Sequence, residues 1–329
     1  MAKSYPRRDQ ASGLWTLADI TSNIINYGTW PIGGSGVRGL VCGGSNPSQS
    51  DVIDYFTIPT TGDAADFGDL VAGGRLGSGI SSFTRGALAG HITPSTVNVI
   101  EYVTIMTTGN GADFGDLTTA RSECSSASNN TRGLFIAGGS NVVDYVTIAT
   151  LGNAIDFGDA VISNQTAAAA SGSPTRATSA GGGSSPGYNA IEFFEYSSLG
   201  DTTDFGNLVS GTHGAGNCSN FRKAVYAGGA DPTNPQTYMQ TWDIAAKADA
   251  VNFGDLTTGT GAMAHGNVGS LTRGVYCGGS APGLVNVIHY LTLESAGSSA
   301  DFGDLTEARS QSACLSNGHG GIEAFHPRP

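Results

Sequence analysis

The chain has 329 residues, 50 of them glycine, and a formal net charge of -12 from 15 basic and 27 acidic side chains. Nucleic acid is excluded as a partner, because phosphate binding needs a basic stripe. No run of roughly 20 apolar residues is present to span a bilayer. The basic start at residues 1–8 has no apolar h-region behind it, so it reads as no secretory signal, and synthesis in a cytoplasm is expected.

Residues 1–31 stand outside the repeat described below and form an N-terminal arm. Within it, residues 16–26 give the one good helix pattern, with Leu17, Ile20 and Ile24 on a single face. Thr16 is the N-cap with Asp19 three residues on, and Tyr27-Gly28 ends the helix. At about three turns such a helix is marginal alone. It therefore docks, either on its own domain or into a partner.

Residues 32–329 read as one unit organised by a pentapeptide, Asp-Phe-Gly-Asp-Leu at 66–70, that returns at 113–117, 156–160, 204–208, 252–256 and 301–305. Its phenylalanines are Phe67, Phe114, Phe157, Phe205, Phe253 and Phe302, at steps of 47, 43, 48, 48 and 49 residues. A period of this size marks repeated supersecondary units. In the third copy, 131–139 is an apolar run ending in Gly138-Gly139, and 141–148 is rich in β-branched residues, so both read as strands. Residues 150–153 carry turn chemistry, 156–159 a short outer strand, and the small, polar run 120–129 an innermost strand. Four short strands repeated six times predict an all-β, six-bladed β-propeller.

Other marks recur with the unit. The double glycine returns at 43–44, 138–139, 181–182, 228–229 and 278–279, with Ala89-Gly90 in the second copy. An aromatic set follows: Tyr55, Tyr102, Tyr145, Tyr196, Trp242 and Tyr290. Arg38, Arg85, Arg132, Arg176, Arg222 and Arg273 open the glycine-ended strands. Residues 305–310 copy 117–122 with no seventh unit behind them, so the C-terminal strand is expected to complete the first blade. The tail 318–329 receives no place.

The physical roles follow from regularity. Phe fills the wedge between blades, Gly permits a sharp turn, and each Asp satisfies backbone amides or pairs with the recurring Arg. Ten acidic residues lie in the units, but their spacing lacks the dense oxygen clustering of a calcium loop. Cys42, Cys124, Cys218, Cys277 and Cys314 are odd in number and far apart, and read as small buried residues. His213, His265 and His319 lie beside glycine near innermost strands, on the central channel, but in differing registers, and no metal is assigned to them. His91, His289 and His326 complete the histidines. No Gly-x-Ser-x-Gly, His-Glu-x-x-His or phosphate loop occurs. No catalytic, cofactor-binding or metal-ligating residue is assigned, and no enzyme is expected. What varies is the loop after the double glycine: 45–50, 91–95, 140–141 and 231–238 differ in length and chemistry, and recognition usually sits on such loops.

The layout from about residue 38 to 310 resembles the kelch repeat, in which a strand ending in Gly-Gly is followed by a Tyr and then an outer-strand Trp. Here Phe takes the place of Trp, a departure that makes the chain kelch-like. The Gly-His and Trp-Asp marks of the WD40 repeat are absent. Residues 7–17, with Gly-Leu-Trp-Thr-Leu at 13–17 and Trp30-Pro31 after them, resemble the start of virion proteins of tailed phages of marine and cyanobacterial hosts, fibre and tail proteins among them. That resemblance implies a propeller held on a particle, in several copies, by its arm at residues 1–31. Its partners are then other virion proteins, with a host-surface glycan as a second candidate, and its location is the virion.

Overall fold

A computed structural model describes residues 37–162, 166–183, 187–231, 234–261 and 266–322. The arm at 1–31 and its expected helix fall outside them. Among the described residues there is no helix, and the strands form six small antiparallel blades in a closed ring, with a two-stranded ribbon of Ala230–Asp231 and Asn234–Pro235 in one loop. This is the six-bladed β-propeller that the period predicts.

Blade 1 consists of Ala313–Ser316, Arg38–Asn46, Ser48–Thr57 and Ala65–Asp69, from inside to outside. Blade 3 shows the pattern within one stretch of chain: Ser125–Ser128, Arg132–Ile136, Val142–Thr147 and Ile155–Asp159. In blade 6 the strands Arg273–Cys277, Val287–Thr292 and Ala300–Asp304 pair regularly, and Val275 N–H reaches Val268 O at the inner position. The ring closes as expected, with Gly39 opposite Ser316 and Cys42 opposite Ala313.

The six phenylalanines are all within 2–3 % exposed, each in its own apolar cluster between two blades. Phe157, for example, packs on Ala177, Phe194 and Tyr196 of blade 4, and Phe302 on Phe56 and Ile58 of blade 1. Each such ring stabilises the fold by roughly 1.5–3 kcal/mol relative to an exposed one. The glycine after it has φ between 144° and 159° in all six units. A Cβ there would come within 2.6 Å of the next blade's turn at Gly68 and within 2.4 Å at Gly158. The glycine is thus required by close approach as well as by dihedral.

That approach carries hydrogen bonds. Gly111 N–H donates to Asp69 O at 2.7 Å, Ala154 to Asp116 at 2.8 Å, and Ala64 of blade 1 to Asp304 of blade 6 at 2.8 Å. Equivalent bonds at Thr202, Ala250 and Ser299 complete a belt joining each outer strand to the next blade's turn.

Two expectations need correction. The opening arginines do not pair with the acidic unit. Arg38, Arg85, Arg132 and Arg273 stack on Tyr55, Tyr102, Tyr145 and Tyr290, and Arg176 on Phe193, at 4.4–4.7 Å from the ring centroids. Each then donates to a carbonyl of the following blade: Ile105, Ile148, Tyr196 and Ile244 for blades 1 to 4, and Ile58 for blade 6. In blade 5 the place belongs to Lys223, which pairs with Asp243, while Arg222 is in the hairpin and bonds the Asp243 carboxylate at 2.8 Å.

The second correction concerns the aromatics. Phe193 and Thr241, not Tyr196 and Trp242, match Tyr55 in register. Strand side chains alternate between faces, so a slip of one residue sends Trp242 to the opposite side, where it is buried between blades.

Candidate functional site

The ring has two unlike faces. Inner-to-second hairpins and third-to-outer turns share one, here the hairpin face. Second-to-third loops and the connections between blades share the other, the loop face.

On the hairpin face one side-chain oxygen caps each inner hairpin. Asn129 Oδ1 accepts Arg132 N–H at 2.8 Å, and Ser82, Ser173, Asn220 and Ser270 do the same for the residue three further on. In blade 1 the cap is Asn317, whose Oδ1 accepts Arg38 N–H at 2.7 Å across 279 residues of sequence. The chain therefore enters at Val37 and leaves its last strand at the same point. From there the tail crosses the axis: His319 Nε2 lies 3.2 Å from Ser128 Oγ of blade 3, and Gly320 N–H donates to Ser219 O of blade 5 at 2.8 Å. Burial lowers the His319 pKa to about 4. This gives residues 318–322 the place that sequence reasoning left open.

The loop face is held by a polar side chain buried in each third strand. It caps the connection leaving the preceding outer strand. Asp54 Oδ1 and Oδ2 accept from Thr306 Oγ1 at 2.6 Å and Thr306 N–H at 3.0 Å, and Asp144 does the same for Thr118. Glu101 accepts Val71 N–H, Glu192 accepts Ile162 N–H, Gln240 accepts Val209 N–H, and His289 Nδ1 lies 3.0 Å from Thr257 Oγ1. Burial pushes the Glu101 and Glu192 carboxyls up, and the backbone amides they bind pull them back. Two of the six caps carry an arginine: Arg121 Nη2 meets Asp144 and Arg309 Nη2 meets Asp54, both at 2.9 Å and both buried.

The sequence-predicted positions are distributed as follows. Loop 45–50 turns inward, with Asn46 Nδ2 and Ser50 Oγ donating to Glu307 at 2.7 and 2.6 Å. His91 is buried, with Gly74 so close that a Cβ there would touch its ring. Loop 140–141 is as short as its sequence implies, and residues 232–233 of the longest loop lie outside the described set. His213 is half-buried in the connection before blade 5, apart from His319, and His265 is outside the described residues. Among the described residues no three His, Cys, Asp or Glu side chains converge as a metal site. All five cysteines are buried and unpaired, and burial raises the Cys42 and Cys218 thiols to about 12. Val71, Val161 and Val209, each just after a repeat unit, project into solvent. A cleft of about 220 Å³ lies at the third-to-outer turn of blade 4, lined by Phe157, Phe193, Glu195, Leu199 and Asp201 among others.

Sequence reasoning missed Asp54, Asp144, Arg121, Arg309 and Glu307. A signal for the caps exists: the buried polar residue stands 13 positions before the repeat phenylalanine in all six copies. No protein-family model matches the chain, and no curated protein matches it.

Proposed function

We propose that the chain is a non-enzymatic structural protein of a tailed-phage virion, a kelch-like propeller held on the particle by residues 1–31. The observation that carries this reading is the shared position of Val37 and Asn317 on the hairpin face, locked by the Asn317–Arg38 hydrogen bond. A tether upstream of Val37 grips the disc by that face. The loop face, with its unequal loops and the exposed Val71, Val161 and Val209, is then turned outward to pack on neighbours or touch the host. Deleting residues 1–31 tests the reading: the propeller should fold and no longer join the particle. Assembly of the truncated protein would refute the anchor.

A second reading is recognition of a host glycan by the loop face, favoured by the contrast between a uniform ring and connections that differ from blade to blade. A glycan array on the isolated protein tests it, and absence of binding to host polysaccharide counts against it. An enzyme acting on polysaccharide is the weakest reading. The carboxyls with raised pKa, Glu101 and Glu192, lie in different blades and are bound to backbone amides.

A further inference from the structure

The two arginine caps are one device used twice, and they differ at a single atom. In blade 1, Arg309 Nη2 bonds Asp54 at 2.9 Å and Val41 O at 3.1 Å. Its Nη1 bonds Val52 O at 2.9 Å and faces Glu307 Oε1 at 3.5 Å. The Glu307 carboxylate is fixed in turn by Asn46 and Ser50. In blade 3, Arg121 Nη2 bonds Asp144 at 2.9 Å and Phe135 O at 3.2 Å, the exact counterparts in register. Yet Arg121 Nη1 has no partner, although the side chain is only 3 % exposed. The Nε atom is unpartnered in both arginines, so Nη1 is the difference.

The sequence explains the missing carboxylate. Thr119 stands where Glu307 stands, and Ser140-Asn141 replace the loop that carries Asn46 and Ser50. Ser140 Oγ is itself buried without a partner. The Cys124 thiol touches the Arg121 guanidinium, but burial favours its neutral form and it donates to Ala137 O, so it supplies no anion. A buried guanidinium N–H left unpaired costs free energy that a carboxylate removes.

We propose that Arg121 Nη1, on the loop face beside Thr119 and Ser140, binds a small carboxylate, in the position that the Glu307 side chain fills in blade 1. The charge count has a precedent within the molecule, since Arg309 already serves both Asp54 and Glu307. Residues 118–120 beside it are exposed. The chemistry recognised is a carboxylate group, free or borne by an acidic sugar. This proposal does not rest on the virion reading.

The test is thermal unfolding of the full chain at pH 7 and constant ionic strength, with sodium acetate or sodium glucuronate replacing sodium chloride. Wild type should gain Tm as the logarithm of the ligand concentration. Thr119→Glu, a change at an exposed position, should raise Tm without ligand and abolish the response. Glu307→Ala should open a second vacancy and enlarge it. A greater response to glucuronate identifies an acidic sugar as the source, and equal responses identify the bare carboxylate. An acetate titration followed at the Arg121 guanidinium ¹⁵N resonance reads occupancy without relying on stability. No Tm gain over chloride in wild type, a full response in Thr119→Glu, or an unmoved Arg121 resonance would each overturn the proposal.

Discussion

Replacing Asp54 with alanine should open the ring at its seam. Asp54 and Arg309 are both 0 % exposed in their side chains, and the carboxylate also holds the Thr306 amide and hydroxyl. Removing it takes the nearest carboxylate from a buried guanidinium and leaves the two Thr306 donors without their acceptor. Breaking one side of such a pair costs about 3–5 kcal/mol. The same change at Asp144 should cost at least as much, because Arg121 has no second carboxylate to match the Glu307 beside Arg309. The two should differ in where the damage shows. Asp54 acts where the last strand joins the first blade, so Asp54→Ala should make residues 313–322 sensitive to limited proteolysis, and Asp144→Ala should not. Urea unfolding followed by fluorescence of the buried Trp242 gives the free energies. Removing both charges together, as Asp54→Leu with Arg309→Met, should cost less than Asp54→Ala alone, since no buried charge is left unpaired. A loss below about 1 kcal/mol for Asp54→Ala, or a double variant no better than the single, would refute the reasoning.

Two further outcomes are expected. The His319 imidazole has a folded pKa of about 4 against 6.5 unfolded, so the fold favours its neutral form. Its contribution is fully present above pH 6.5 and is lost as pH falls toward 4, by up to roughly 3 kcal/mol. Wild type should therefore lose more stability than His319→Gln between pH 7 and pH 5 in urea titrations, and parallel losses would contradict the buried site. Gly158→Ala should cost more than Gly152→Ala. Both glycines have φ near 145°, but only at Gly158 would a Cβ meet the next blade, whereas nothing lies within 4 Å at Gly152. A clash added to backbone strain of about 1–3 kcal/mol separates the two midpoints, and equal midpoints would show that the outer belt is not tight.

The architecture was legible because the wedge-filling phenylalanine, its glycine and the double glycine are held by geometry that every blade shares. Closure was legible because residues 305–310 repeat 117–122. The polar caps were hidden by chemistry: Asp54, Glu101, Asp144, Glu192, Gln240 and His289 do one job with four residue types, so identity gave no period. Counting back from the phenylalanine would have revealed them, and would also have placed Phe193 and Thr241 at the aromatic position in preference to Tyr196 and Trp242. The opening arginines misled because their acceptors are carbonyls, which leave no mark in sequence, and their stacking partners are rings already given another role. The tail was unreadable because its fit depends on the spacing of Ser128 and Ser219 across the axis, a distance that only the closed ring defines.

The seam in blade 1 has a consequence for biosynthesis. The strand Arg38–Asn46 is made before the other blades, and its inner neighbour Ala313–Ser316 only after all of them. Until that strand emerges, five complete or nearly complete sheets wait beside one whose inner edge is bare. Such an edge invites pairing with another nascent chain. Premature termination anywhere before residue 313 would leave it permanently uncovered, so such truncated products should aggregate or be degraded.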